Sequence, residues 1–296
     1  MSRMHLPLSI TLTSPLHHGA GVAGNTSLLR TQRIIRPDGS TASVPFVSGN
    51  SMRHQVRAAL AWHAARVLEL PEGALSKPVV DLLWSGGAIT RTGSETRLDL
   101  IRRVEALYPP LTLLGYSAGS DMVAGVLAVN NLHLVCRENT WRLDSASADT
   151  VHADRPAAVF RGEEFGTRHD TAGTATDRIT ASVVDTLVGA TPTTQMIYDM
   201  QVLVPGSVLS GSMDLSAAAT HDHRRVLAVA LDEMMPMVDG RRTVALAAKT
   251  AVGYGAGLVE VDLSTVADLT QARDWWESHL REHREDILDV WNQVIA

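Results

Sequence analysis

VPFVSGNSMRHQVR, Val44–Arg57, decides how this chain is read. Pro45 holds Val44, Phe46 and Val47 out of helix, so they form a short extended lead-in. Ser48-Gly49-Asn50-Ser51 supplies turn and N-cap chemistry, because a Ser or Asn oxygen can accept an orphan N–H of a first helical turn. A helix is then predicted from about Met52 to Leu68, burying Val56, Leu60, Ala64 and Val67. Arg53 and Arg57 stand four residues apart on one face of it. A turn rich in N–H groups, a helix N-terminus and two aligned guanidiniums together suit a phosphate. An ordinary helix start with two solvated arginines would look the same.

Working outward, His5–Thr13 alternates as a strand does. Ser14–Gly24 (SPLHHGAGVAG) is a glycine-rich loop whose backbone could approach a ligand closely. Leu29–Ile35 extends again, and Pro37-Asp38-Gly39 is a turn. Residues 70–112 read as mostly helical, with Pro109-Pro110 as the stop. Gly125–Cys136 is a strand candidate. Residues 150–194 are polar, with few large apolar side chains between Phe165 and Ile179, which suits an exposed hairpin or loop. Gln195–Val204 and Ser207–Leu215 resume as strands. Arg224–Met235 is a helix capped within Thr220–Asp222. Thr243–Leu246 and Leu258–Leu263 are short strands, and Leu269–Ile295 is one amphipathic, acidic helix.

Composition bounds the function. The 296 residues are 45% hydrophobic and 20% charged, as in a soluble globular protein with ample core material. No apolar run is long enough to span a bilayer, and the polar start MSRMHLPLS lacks a signal-peptide core, so no membrane role is expected. One cysteine, Cys136, in an apolar run excludes a disulfide scaffold and a thiolate zinc site and implies a reducing cytoplasm. Net charge is −6, yet residues 1–66 hold seven arginines against the single acid Asp38, while the tail from Asp262 holds eight acids and three arginines. Such asymmetry fits a phosphate-facing surface or head-to-tail assembly of identical subunits.

A second stretch matters near the other end, LAAKTAVGYGAGLVEVDL, Leu246–Leu263. Lys249 precedes the glycine turn Gly253-Tyr254-Gly255-Ala256-Gly257. The lead-in, small-residue turn and Arg-x-x-x-Arg of Val44–Arg57 resemble the "IPGSSLKGxLR" signature of the RAMP superfamily of CRISPR proteins. Leu246–Leu263 resembles the same family's glycine-rich turn before its last strand. The order and separation of the two stretches fit as well, and among RAMP backbone subunits the chain looks most like those of type IV systems.

The resemblance implies an α+β fold: a ferredoxin-like or RRM-like palm, a helical finger insertion within 70–115, a β-hairpin thumb within 162–194, and a C-terminal helix in 264–296. It implies a subunit that polymerises along guide RNA and presents the guide to a complementary nucleic acid beside other effector subunits. The implied RNA contacts are His17, His18 and Gly19 in the first loop, and Ser48, Gly49, Asn50, Ser51, Arg53 and Arg57 in the signature. Arg161 and Arg168 fall at the thumb, and Lys249, Gly253 and Gly255 in the second stretch. With three Phe and four Tyr, base stacking cannot be the main grip. RAMP subunits that cut target RNA place an Asp in the loop between the first strand and the signature helix. Here Gly24 and Asn25 stand in that place, so a non-cleaving subunit without metal or cofactor is expected. An RRM-like RNA-binding module outside CRISPR is a further alternative.

A rival motif is Gly115-Tyr116-Ser117-Ala118-Gly119, which matches the G-x-S-x-G nucleophile elbow of α/β-hydrolases. It follows the apolar run Leu111–Leu114, and His221, His223, His279 or His283 could serve as base. Against it stand Pro109-Pro110 and the lack of repeated βα units upstream. His221-Asp222-His223 could be drawn as metal ligands, but no nearby third ligand is evident and a helix N-terminus accounts for the same residues.

Overall fold

Strand β1, Met4–Leu12, buries every second side chain, and Leu6, Leu8, Ile10 and Leu12 form the floor of the core. A computed structural model describes residues 3–89, 97–119, 121–144, 147, 150–169 and 195–296. After β1 come the hairpins β2 (Gly19–Ala23) with β3 (Thr26–Leu29) and β4 (Thr31–Ile35) with β5 (Thr41–Val47). The expected glycine-rich loop is thus half hairpin, while the Pro37-Asp38-Gly39 turn falls where it was expected.

Helix α1 runs from Gly49 to Val67, and the Ser48 hydroxyl accepts the Ser51 N–H at 3.3 Å as its N-cap. Glycine opens the helix because a Cβ at position 49 would collide with the Val129 carbonyl. Val56, Leu60 and Ala64 are buried as expected, Met52 is buried as well, and Val67 is half-buried.

The stretch expected to be helical fingers is mixed. It holds α2 (Lys77–Val80), one π turn (Asp81–Ser85), β6 (Gly87–Ile89), α3 (Leu98–Leu107) and α4 (Pro109–Leu114). Helix α3 stops at Leu107, just before Pro109-Pro110, as expected, and the same two prolines open α4, since proline's fixed φ and missing N–H suit a first turn. After α4, β7 (Tyr116–Gly119) pairs in parallel with β6 and antiparallel with β8 (Asp121–Val123). The single strand expected over Gly125–Cys136 is two, β9 (Leu127–Val129) and β10 (Leu132–Leu134). Cys136 lies just beyond, buried, and burial pushes its thiol up to about 12.

Strands β11 (Arg161–His169) and β12 (Gln195–Leu203) pair antiparallel in register from Arg161–Leu203 to His169–Gln195; β11 falls in the range read as a thumb, 162–194, and β12 just beyond it. The polar stretch between its strands, 170–194, lies outside the described residues. The rest is β13 (Val208–Leu215), α5 (His221–Met234), β14 (Met237–Val238), β15 (Arg241–Ala245), β16 (Ala256–Glu260), α6 (Leu269–Glu282) and α7 (Arg284–Ile295). The last helix expected from sequence is therefore two, broken at His283.

One nine-stranded sheet runs β14-β15-β16-β1-β13-β10-β5-β4, with β9 also on β13. Within it, β16-β1-β13-β10 is the strand order of a βαββαβ core, whose two crossover helices α1 and α5 pack against each other. The expected ferredoxin-like, RRM-like α+β fold is what the chain adopts. Helices α6 and α7 close the helical side, where Trp276 and Trp291 both pack on the Tyr108 ring.

Candidate nucleic-acid interface

The two stretches singled out in sequence meet at the end of β1, and both fasten to the loop Ser14–Gly19. The Ser48 N–H donates to His18 Nε2 at 3.2 Å, and the Gly255 N–H donates to the Pro15 carbonyl at 2.7 Å. The Ala248 N–H donates to the His17 carbonyl at 3.2 Å. Gln55 on α1 completes the link, donating to the Ala245 carbonyl at 2.9 Å. Strand β12 joins through His17 Nδ1, which donates to the Gln201 carbonyl at 2.8 Å. His18 packs edge-on against Phe46, and its pKa is lowered by burial, then by Arg30 and His17. A neutral His18 ring is what accepting the Ser48 N–H requires.

The loop after β15 carries backbone strain. Ala247 and Lys249 both adopt left-handed φ, 61° and 63°, which costs a residue with a Cβ about 1–2 kcal/mol each. Gly253 and Gly255 take the same region with φ 89° and 75°, and a Cβ at Gly255 would strike the Leu246 carbonyl. Lys249 and Gly253 are exposed there, while Tyr254 reaches Glu164 on β11 and pins the hairpin to the palm.

The signature arginines are elsewhere. Arg57 is 8% exposed; its guanidinium donates to the Gly115 carbonyl at 2.6 Å and the Leu114 carbonyl at 3.3 Å. Arg53, half-buried, donates to the Leu127 carbonyl at 2.5 Å and also to Leu114. Gly86 lies over Arg57, where a Cβ would come within 3.2 Å of Cζ. Burial, and then the Arg53 charge, push the Arg57 guanidinium down to about 10. These two groups clamp the C-terminal end of α4, whose carbonyls lack helical partners. The expectation that they face phosphate is corrected to this extent: Arg57 is buried, and both guanidiniums donate to carbonyls of the protein.

The turn is also less open than expected. Its Ser48, Gly49 and Ser51 N–H groups go to His18, to Asn131 Oδ1 (2.9 Å) and to Ser48, while the Asn50 side chain is exposed at the rim. The exposed cations nearby include two that sequence reasoning passed over. Arg30 donates to the Gly19 carbonyl at 3.2 Å, and Arg33 pairs in register with Ser43, whose carbonyl accepts from Arg161 at 2.6 Å. The excess of arginine over acid in residues 1–66 was the signal for both. Arg168 lies on β11, its side chain outside the described residues.

At the β2–β3 turn, where Gly24 and Asn25 replace an expected carboxylate, an acid arrives from another strand. Asp199 on β12 accepts from Thr26 Oγ1 at 2.6–2.7 Å. Among the described residues, no group of three or more His, Cys, Asp or Glu could hold a metal ion. His221-Asp222-His223 is a helix cap. His223 is buried, and its Nδ1 accepts the Thr220 N–H at 3.0 Å while the Thr220 hydroxyl accepts the His223 N–H at 3.3 Å.

Ser117 stands within strand β7, which is followed by another strand and preceded by a helix. A nucleophile elbow needs the reverse, a strand before and a helix after.

No family model matches the sequence, and no curated protein matches it. A solved structure does: a chain of a "Type IV-B CRISPR Complex" superposes with a TM-score of 0.56 at 17% identity, over 88% of this chain and 90% of that one. The two chains share a fold along nearly their whole lengths. Among the described residues, no helix is long and apolar enough to cross a membrane.

Proposed function

We propose that this chain is a subunit of a CRISPR ribonucleoprotein, one that assembles in copies along guide RNA and presents the guide for pairing. The observation that carries this reading is the fold shared end to end with a chain of a Type IV-B CRISPR complex. It is supported by the way both family-like stretches gather at the end of β1. The RNA-holding groups would be His17, His18, Gly19, Ser48, Gly49, Asn50 and Ser51, with Arg161, Lys249, Gly253 and Gly255. Arg30 joins them in place of Arg53 and Arg57. Base pairing would select sequence while the protein grips backbone and shape. The outer sheet face supports a backbone grip, since Ser9, Thr11 and Ser212 alternate with the core residues and offer no stacking platform, while Ser210 is buried and hydrogen-bonded to Ser147 and Asp144. Further partners would be a complementary nucleic acid and other effector subunits.

The subunit would hold target RNA without cutting it, because the β2–β3 turn offers one carboxylate, Asp199, already engaged by Thr26. The test is purification after co-expression with a guide and the partner proteins. An absorbance ratio at 260 and 280 nm typical of ribonucleoprotein, RNA of discrete length and sedimentation as an oligomer are expected. A nucleic-acid-free monomer would overturn the reading. Metal-dependent cleavage of bound target at regular intervals, with no separate nuclease present, would overturn the non-cleaving part.

A further inference from the structure

His17 and His18 are neighbours with opposite hydrogen-bonding faces. His17 Nδ1 lies 2.8 Å from the Gln201 carbonyl, which can only accept, so Nδ1 carries the proton and Nε2 of the neutral ring is an acceptor. His18 Nε2 takes the Ser48 N–H, so there the remaining donor is Nδ1–H. His17 is only 6% exposed, and what lies before Nε2 is defined by Gly19. A methyl group on Gly19 would stand 3.2 Å from His17 Nε2; apart from Gly19 and its chain neighbours, the next nearest atoms are carbons of the same ring, at 3.9 and 4.0 Å. Gly19 is not among the glycines with left-handed φ, so the backbone does not demand glycine there. What glycine preserves is room for one oxygen-sized atom at hydrogen-bond distance from a fixed acceptor.

That acceptor restricts its ligand. A phosphate oxygen cannot satisfy it, because both are acceptors. Base donors change from nucleotide to nucleotide, whereas a ribose 2′-hydroxyl is present at every position of RNA and at none of DNA. The exposed Arg30 guanidinium is beside Gly19, where it can hold the adjoining phosphate. We propose that His17 Nε2 accepts a hydrogen bond from a ribose 2′-hydroxyl in the space kept clear by Gly19, and that this contact distinguishes RNA from DNA. The inference rests on the RNA-holding reading above.

The test uses the full chain at pH 8 and one single-stranded sequence as RNA, as 2′-fluoro RNA and as DNA. The fluoro form keeps the RNA sugar pucker and removes the hydroxyl donor. The parent protein is expected to bind RNA about tenfold more tightly than 2′-fluoro RNA, the size of one net hydrogen bond. Gly19→Ala, which puts a methyl where the hydroxyl would sit, brings that ratio to about one, and His17→Phe does the same. Lys249→Ala weakens all three ligands and leaves the ratio standing. If His17→Phe does not fold, Gly19→Ala carries the test alone, since alanine is compatible with the backbone there. Equal binding of RNA and 2′-fluoro RNA by the parent, or a ratio that survives Gly19→Ala, overturns this inference and leaves the RNA reading intact. Failure to bind any of the three overturns both.

Discussion

The two ends of the Val44–Arg57 stretch do opposite work. Its first part, the turn at Ser48–Ser51, lies at the rim by the end of β1, where it rests on the half-buried His18 and the Asn50 side chain is exposed. Its second part, Arg53 and Arg57 on the next turns of α1, points inward and holds carbonyls at the end of α4. Polar residues within one short motif are thus divided between a surface that can meet a ligand and an interior that cannot. The difference lies in helical phase. Arg53 and Arg57 each follow a buried residue, Met52 and Val56, by one position, which places them about 100° from the apolar stripe and within reach of the neighbouring element.

The sharpest way to break this comparison is to reverse the inner charge. Arg57→Glu places a carboxylate against the Leu114 and Gly115 carbonyls in a buried site. The expected cost is roughly 3–5 kcal/mol of folding stability, read as a large fall in the urea midpoint. If the variant instead keeps its stability and loses only salt-dependent RNA binding, the inner and outer assignments must be exchanged.

Acid probes the interior as well. Burial, aided by Arg142, lowers the His133 ring to about 4, and burial also lowers His63 and His223. A folded pKa below the unfolded value near 6.5 means that the unfolded chain takes up protons first as pH falls. Stability should therefore decline from about pH 6.5 toward pH 4. Glu233 acts lower still: burial would raise its carboxyl, but hydrogen bonds from Arg273, Arg66 and His63 outweigh that and hold it at about 2. Its contribution is present above the ordinary glutamate range and is lost as pH falls toward 2. Urea midpoints at pH 7.5 and 4.5 should differ by roughly 2 kcal/mol in stability, and His133→Leu should flatten the slope. A midpoint unchanged over that interval would mean that these rings are already hydrated in the fold.

The rim should answer in the other currency. Arg30→Ala and Lys249→Ala should each leave stability within about 0.5 kcal/mol. Each should weaken RNA binding a few-fold and lower the salt slope by about 0.7, the share of one phosphate contact on a single strand. A stability loss as large as that of Arg57→Glu would place these residues with the interior.

The sequence made much of this legible, for identifiable reasons. The alternation in β1, the Pro37-Asp38-Gly39 turn, the Ser48 cap and the i, i+4 apolar stripe of α1 are local signals, and each element formed where its signal lay. Arg53 and Arg57 were placed correctly on one face but on the wrong side. Spacing fixes which residues share a face; only the tertiary partner, here α4, fixes what that face meets. Pro109-Pro110 was read only as an end, which α3 does meet at Leu107, but proline at a first helical turn is also a beginning, and α4 opens there. The break at His283 had a signal in Glu285-Asp286, acids suited to the N-terminus of a second helix. No local pattern could show that Ala248 and Gln201 would converge on His17, because those contacts exist only once the sheet has closed.

The smallest expected effect belongs to Ser117, the residue on which the hydrolase alternative depends. Its N–H donates to the Gly86 carbonyl at 2.8 Å, and it pairs in register with Gly87 within the β6–β7 ladder, so the backbone is extended where a nucleophile elbow would turn sharply. Two of the candidate base histidines are committed elsewhere. His223 uses Nδ1 on the Thr220 N–H and Nε2 on Thr112 Oγ1 at 2.9 Å, and His279 Nε2 lies 2.9 Å from the Leu107 carbonyl. Ser117→Ala removes a half-buried hydroxyl and leaves the ladder intact. Stability should stay within about 0.5 kcal/mol, RNA binding should be unchanged, and hydrolysis of a nitrophenyl ester should equal that of the parent and of buffer. A parent activity abolished by Ser117→Ala would mean that the strand rearranges into an active serine site in solution, and the hydrolase reading would then stand in place of the one proposed.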